Sequence, residues 1–312
     1  MSATLIIGGS GYVGSRIARA EANKGSPVVI FDNMPPAANL DGIKFVKGNI
    51  LNLGELIDTI KKENISKIVH TSYLYSGEAK DRPAEAAKYN FLGTVNVLES
   101  SRLLDVQKII YSSAGAVYGS IDPKALIDED FPKTPRDFYG ATKLSSENYG
   151  RLYRENYGLS FTALRMMGAY SPDLNIPTVS YYVTNGLVKS AIKGEPVFLD
   201  LDQQELVTLV YLEDAISAFS LALEKDCPSP AYNLASETIS LGEIVSSIKK
   251  AVPKAQFEFN SSKGKDQKNN YLSQHVRGTY DIRRLRNELG FEPQNLIKNK
   301  LAALVEWQRT PS

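Results

Sequence analysis

The chain predicts an α/β fold: a doubly wound parallel sheet followed by a smaller C-terminal part. Three observations carry this. Short apolar runs alternate with longer helical patterns through the first half, the sequence form of a parallel sheet covered by helices. A glycine loop, Gly8-Gly9-Ser10-Gly11-Tyr12-Val13-Gly14, follows the first run directly and precedes an amphipathic stretch. After Arg165 the regularity fades, and Pro172, Pro177 and Pro196 break the pattern.

Taken in order, strands are expected at 4–7, 28–31, 44–46, 67–70, 108–111 and 160–164, where short apolar and β-branched runs stand between turn residues. Helices are expected between them at about 12–24, 53–63, 84–104 and 136–156. Right-handed crossovers then wind the sheet in both directions. Beyond Arg165 the pattern gives a helix near 178–193, a strand near 205–212 running into a helix from Glu213, and helices near 241–251, 281–289 and 294–308. Residues 260–274 are polar and rich in Lys, Ser and Asn, which reads as a surface loop with a solvated face. Residues 1–165 are therefore read as a dinucleotide-binding domain to which about 205–235 returns. Residues 166–204 and 236–312 are read as the substrate-binding part.

Composition narrows the function classes. The 312 residues carry a formal net charge of +1, which gives no electrostatic reason for a nucleic-acid or membrane partner. The lone Cys227 excludes an intrachain disulfide and fits a reducing compartment. Two histidines, His70 and His275, without a Cys/His cluster, argue against a zinc site. The glycine loop starts almost at Met1, leaving no room for a signal peptide, and no apolar run reaches membrane-spanning length. A cytoplasmic protein is the expectation.

The glycine loop points to a dinucleotide. Gly8, Gly11 and Gly14 suit a tight turn, a close backbone approach to pyrophosphate and close helix–strand packing, although their spacing is G-x-x-G-x-x-G. The following helix N-terminus offers free N–H groups to phosphates. The second strand ends in Phe31-Asp32-Asn33. An acidic side chain there accepts hydrogen bonds from the adenosine ribose and repels a 2′-phosphate, favouring NAD over NADP. Tyr139 and Lys143 lie four residues apart, one helical turn on one face. A tyrosine titrates near ~10, and a neighbouring ammonium is expected to lower that value toward working pH.

These residues resemble the extended short-chain dehydrogenase/reductase family, which includes NAD-dependent epimerases and dehydratases. The resemblance covers most of the chain. It rests on the glycine loop, Asp32, Ile68-Val69-His70, Asn90-Phe91-Leu92-Gly93-Thr94 and Ser112 through Gly119. It extends through Tyr139/Lys143, Leu164-Arg165, Tyr170-Ser171-Pro172, Val210-Tyr211-Leu212-Glu213-Asp214, Asp281 and Leu289-Gly290-Phe291-Glu292-Pro293. It implies a Rossmann-type sheet and NAD as cofactor. Tyr139 would exchange a proton at the reacting oxygen while hydride moves between its carbon and the nicotinamide. Lys143 would hold the nicotinamide ribose, and a serine after the fifth strand would orient the same oxygen. Tyr12, Val13, Asn33, Asn49 and Ile50 join the cofactor set. At Asn49 the family often has an acid that bonds the adenine amine, and the amide either accepts that bond or is a turn residue.

The chain also departs from the family. The epimerase branch places its catalytic hydroxyl four residues before the tyrosine of Val-Tyr-Gly, where this chain has Ala114. Ser113 is taken as the serine, with Ser112 as its alternative. Ala114 and Gly115 replace the acid pair of a dehydratase, and Gly168 and Val207 replace residues that grip a sugar-nucleotide diphosphate. Lys263, Arg277 or Arg283 remain as compensating cations. The substrate end therefore reads as a pocket for a small alcohol or carbonyl compound, lined by Tyr73, Leu74, Tyr75, Ser113, Met166, Met167 and Gly168, with core filling as the alternative for the apolar residues and the first reading for the two methionines. His70 reads as structural. The leading expectation is an NAD-dependent oxidoreductase. A nucleotide-sugar epimerase is the alternative, followed by a non-catalytic NAD-binding sensor. Family analogy implies a homodimer through helices 84–104 and 136–156.

Overall fold

The computed structural model describes residues 2–37, 40, 42–119, 122, 125–259 and 278–310. The loop read at 260–274, with Lys263, His275 and Arg277, lies outside the described residues. In chain order the first half comprises β1 (Ala3–Ile7), α1 (Tyr12–Asn23), β2 (Val28–Asp32), β3 (Lys44–Lys47), α2 (Leu53–Lys62) and β4 (Ile65–His70). It continues with α3 (Ser76–Asp81), α4 (Pro83–Ala86), α5 (Gly93–Leu103), β5 (Lys108–Ala114), β6 (Leu126–Ile127), α6 (Phe138–Tyr157) and β7 (Phe161–Met166). A π-helical segment, Ala87–Leu92, joins α4 to α5. The second half holds β8 (Gly168–Tyr170), α7 (Val179–Tyr181), α8 (Leu187–Lys193), β9 (Val197–Leu199), β10 (Leu206–Tyr211) and α9 (Leu212–Glu224). After these come β11 (Ala231–Leu234), β12 (Glu237–Ser240), α10 (Leu241–Ala251), β13 (Phe257–Phe259), β14 (Thr279–Tyr280) and helices Arg283–Leu289 and Ile297–Arg309.

Seven strands form one parallel sheet in the order β11-β7-β5-β4-β1-β2-β3. Each of the six expected strands overlaps one of its members. The seventh, β11, extends the edge beyond β7. Both faces are covered, which is why these strands read as apolar runs without alternation. Ile6, Ile30, Val69 and Ile110 pack on one face with Ile17 and Ala18 of α1 and Ala215 and Phe219 of α9. Leu5, Ile7, Val29 and Ile68 pack on the other with Leu56 and Ile60 of α2 and Val97 and Leu98 of α5.

The direction of winding reverses between β1 and β4, which are hydrogen-bonded neighbours. Crevices at such a switch point lie outside the carboxyl ends of the strands. The stretch 205–235 divides: α9 and β11 belong to the main sheet's layers, whereas β10 lies in a separate three-stranded sheet, β12-β10-β8. That second sheet has its own core, in which Val207 and Leu209 meet Leu187, Val188, Leu241, Ile244, Leu301 and Leu304.

Asp214, in the first turn of α9, joins the two lobes. Its buried carboxylate accepts from the Gln294 and Asn295 backbone N–H groups (3.1 Å each), Asn295 Nδ2 (2.6 Å) and Ser236 Oγ (2.7 Å). Asp214→Ala strands these donors. It should lower stability by about 3 kcal/mol, read as a reduced urea midpoint with little change in slope.

Candidate active site

The glycine loop turns where β1 ends. Gly8 has φ +79°, and a Cβ there would stand 2.6 Å from the Ser72 nitrogen. A Cβ on Gly14 would stand 2.3 Å from the Gly8 oxygen and 2.7 Å from Thr71 Oγ1. Thr71 seals the contact by donating its hydroxyl to the Ile7 oxygen at 2.9 Å. Helix α1 then begins at Gly11 without a side-chain cap, so its first N–H groups and positive dipole end are available to an anion. Asp32 fixes the loop from β2 by accepting from Ser10 N–H at 3.1 Å.

Gly8, Gly11, Asp32, Asn33, Asn49 and Ile50 line a cavity of about 340 Å³. Arg82, Glu85 and Tyr89 also line it, none of which the sequence singled out. Asn49 Oδ1 accepts from Leu51 N–H at 3.0 Å, the bond of a turn residue, while the amide still lines the cavity. Tyr12 and Val13 line the second cavity, described below. The Tyr12 hydroxyl bonds Ser171 and Asp173 (2.8 Å to the carboxylate), tying the loop to the segment after β8.

Helix α6 carries the reactive column. Its N-cap Asp137 accepts from Gly140 N–H at 2.6 Å, and the chain leaves the helix at Gly158 in the left-handed region, φ +71°. Tyr139, Lys143 and Glu147 follow at four-residue intervals on one face. Lys143 is fully buried. Its Nζ donates to the Ser112 oxygen at 2.6 Å and lies 3.7 Å from the Tyr73 ring centroid, 4.7 Å from that of Tyr111 and 5.4 Å from that of Tyr139.

The pair is together, but its electrostatics differ from expectation. Burial raises the Tyr139 phenol well above its ordinary value, and Tyr73, Tyr111 and Asp137 add to this. Burial also pulls Lys143 well down, with Glu147 opposing. The amine faces the Tyr73 ring more closely than the Tyr139 ring, so it does not offset the phenol's desolvation.

Glu147 is the residue that sequence reasoning missed. Ser113 donates its hydroxyl to Glu147 Oε1 at 2.5 Å, and Arg165 of β7 grips the carboxylate at 2.7–3.1 Å. Arg165 also donates to the Tyr118 hydroxyl and the Glu129 oxygen. A hydroxyl has one proton, so with that proton directed to Glu147 the Ser113 oxygen is left as an acceptor toward the cavity and not as a donor. Ser112 Oγ is buried with no hydrogen-bond partner.

Above α6 lies the second cavity, of about 400 Å³. Tyr73, Tyr75, Ser113, Tyr139, Met167 and Gly168 line it with Gly8, Gly11 and Gly14, and Lys143 does not. Met166, Leu174, Ile176 and Val179 make its walls apolar, while Thr178, Ser180 and Tyr280 are polar liners that the sequence did not reveal. A Cβ on Gly168 would sit 3.1 Å from Ser180 Cβ, and Val207 is in the second lobe's core. Val207 is therefore closed off from the cavity, and Gly168, which lines it, has no side chain to offer a diphosphate. A Cβ on Gly115 would stand 2.5 Å from Met167 Sδ. Leu74 faces the first cavity instead. Among the described residues no group of His, Cys, Asp or Glu is placed to hold a metal ion, and no helix is long and apolar enough to cross a membrane.

The model of the NAD dependent epimerase/dehydratase family matches residues 4–235. A UDP-glucose 4-epimerase of Halalkalibacterium halodurans is 30% identical over 74% of this chain and 75% of its own. One of Mycolicibacterium smegmatis is 28% identical over 99% of each. Among solved structures, L-threonine 3-dehydrogenase of Trypanosoma brucei shares the fold, with a TM-score of 0.86 and 20% identity over 99% of this chain and 98% of that one.

His70 ends β4 beneath this site, fully enclosed. Thr94 gives its proton to the Asn90 oxygen, so at 2.9 Å it accepts from His70 Nε2, while His70 Nδ1 accepts from Ser72 N–H at 3.4 Å. The bond at Nδ1 requires the neutral ring, because an imidazolium has no acceptor nitrogen, and the bond at Nε2 places its one proton there. Burial, assisted by Lys143, lowers its pKa from 6.5 to about 3. Between those values the unfolded chain binds more protons, so stability is full above about 6.5 and falls as pH drops toward 3. Unfolding free energies across this range should show that slope, and His70→Gln should flatten it.

Proposed function

This chain belongs to the NAD-dependent epimerase/dehydratase family, and from that premise we propose that it interconverts a hydroxyl and a carbonyl on a small substrate. The residues present fit NAD. A cradle that a Cβ at Gly8 or Gly14 would fill, an uncapped helix start at Gly11 and the Asp32 carboxylate suit its pyrophosphate and ribose. When bound there, NAD would supply the hydride acceptor or donor for the substrate carbon. Asp32 would accept from the adenosine ribose hydroxyls, and Asn33, Asn49 and Ile50, which line the same cavity, would hold the base. Lys143 holds the second ribose. Tyr139, kept protonated through neutral pH by burial, donates its proton to a carbonyl oxygen. Ser113, aligned by Glu147, accepts from a second hydroxyl on the substrate. Residues 1–165 with α9 and β11 hold the cofactor, and the second lobe closes the substrate end.

The apolar wall above Tyr139 carries this reading. Two phosphate charges need partners, and Gly168 and Val207 supply none. A second reading, epimerisation of a nucleotide sugar, is favoured by the names of the two relatives above. Leu92 and Leu103 at the two ends of α5 and Phe138, Leu152 and Tyr157 along α6 are exposed, and the Phe91 and Tyr149 rings meet at 4.9 Å. A second copy covering this face makes the protein a homodimer. A cytoplasmic setting agrees with the free thiol of Cys227.

With a panel of small ketones, NADH oxidation should appear as loss of the reduced-nicotinamide absorbance. Tyr139→Phe should lower kcat by at least about 10²-fold while NADH binding persists. Epimer formation from a UDP-sugar, without net redox change, would replace this reading with the second.

A further inference from the structure

We infer that Tyr73 is a positioning residue of the cofactor site: its ring caps the Lys143 ammonium and has to turn aside before that group reaches a cofactor ribose. The inference rests on the assignment of Lys143 to the ribose. Lys143 is fully buried and lines neither cavity. The nearest of three aromatic rings around its Nζ is that of Tyr73, at 3.7 Å from the centroid. An ammonium taken out of water is held well by a ring face, so the capped arrangement is a stable one.

Tyr73 also stands where a dinucleotide has to pass. It lines both cavities, as do Gly8, Gly11 and Thr71, and so marks the junction of the two halves of the cleft. The backbone around it is fixed. Thr71 N–H donates to the Ile7 oxygen at 2.8 Å. Asn90 clamps Leu74 on the other side, accepting from its N–H at 2.7 Å and donating to its oxygen at 3.0 Å. Movement therefore falls on the Tyr73 side chain and not on the loop. The side chain is half-buried and borders open space in both cavities, so protein does not box its ring in.

A closed majority state lowers apparent affinity by the fraction that is open. Removing the ring should therefore speed NADH association and tighten its equilibrium binding, each by about tenfold, the size of one cation–π contact. Stopped-flow NADH fluorescence on the intact protein measures both. Tyr73→Ala and Tyr73→Ser should show the gain, and Tyr73→Phe, which keeps the ring, should bind as the parent does. Unchanged or weaker NADH binding in the Ala and Ser variants overturns the inference, as does a gain in the Phe variant. Lys143→Met separates the two levels. Weaker NADH binding in that variant upholds the ribose assignment whatever Tyr73 does, whereas parental binding there removes the assignment and the cap together.

Discussion

The site depends on one buried ion pair. Glu147 and Arg165 are both buried, and the carboxylate takes three bonds from the guanidinium between 2.7 and 3.1 Å. Charges held this far from water are tolerated only when geometry is good and the remaining donors are satisfied. Arg165 meets that condition through Tyr118 and Glu129. The pair joins α6 to β7 at a fixed register, and the same helix face bears Tyr139 and Lys143. Removing either partner would leave a bare charge beside the reactive groups.

From that anchor the chemistry follows in sequence. Glu147 accepts the Ser113 hydroxyl's hydrogen bond, which leaves the serine oxygen as an acceptor. Burial holds Tyr139 as a phenol and lowers the Lys143 pKa, while three rings and the Ser112 oxygen hold the ammonium in place. The glycine loop stands at the reversal between β1 and β4 and lines both cavities, one drawing further on the ends of β2 and β4 and the other on those of β5 and β7. The second lobe adds an apolar wall rather than cations.

Much of this was legible in the sequence. The loop with its glycines, Asp32 and the Tyr139/Lys143 interval are local, and local patterns survive into structure unchanged. What was hidden depends on distant partners. Ser113 and Glu147 are 34 residues apart, and a glutamate two turns beyond Tyr139 reads as helix surface until a guanidinium from β7 is found opposite it. The same spacing, i, i+4 and i+8, did hold the clue. Strand β11 was missed because four residues with a polar Asn233 make a faint signal; that side chain is satisfied by the Ile127 and Asp281 oxygens and by Tyr118. The expected lowering of the Tyr139 pKa failed for a related reason: spacing fixes the face of a residue but not the depth at which it is buried.

A crystal structure with NADH bound tests the central claim most directly. The account predicts the adenosine ribose on Asp32, the pyrophosphate at the start of α1 and the nicotinamide beside Tyr139, within reach of Lys143. A dinucleotide seated away from the α6 column, with Tyr139 facing only protein, would contradict it.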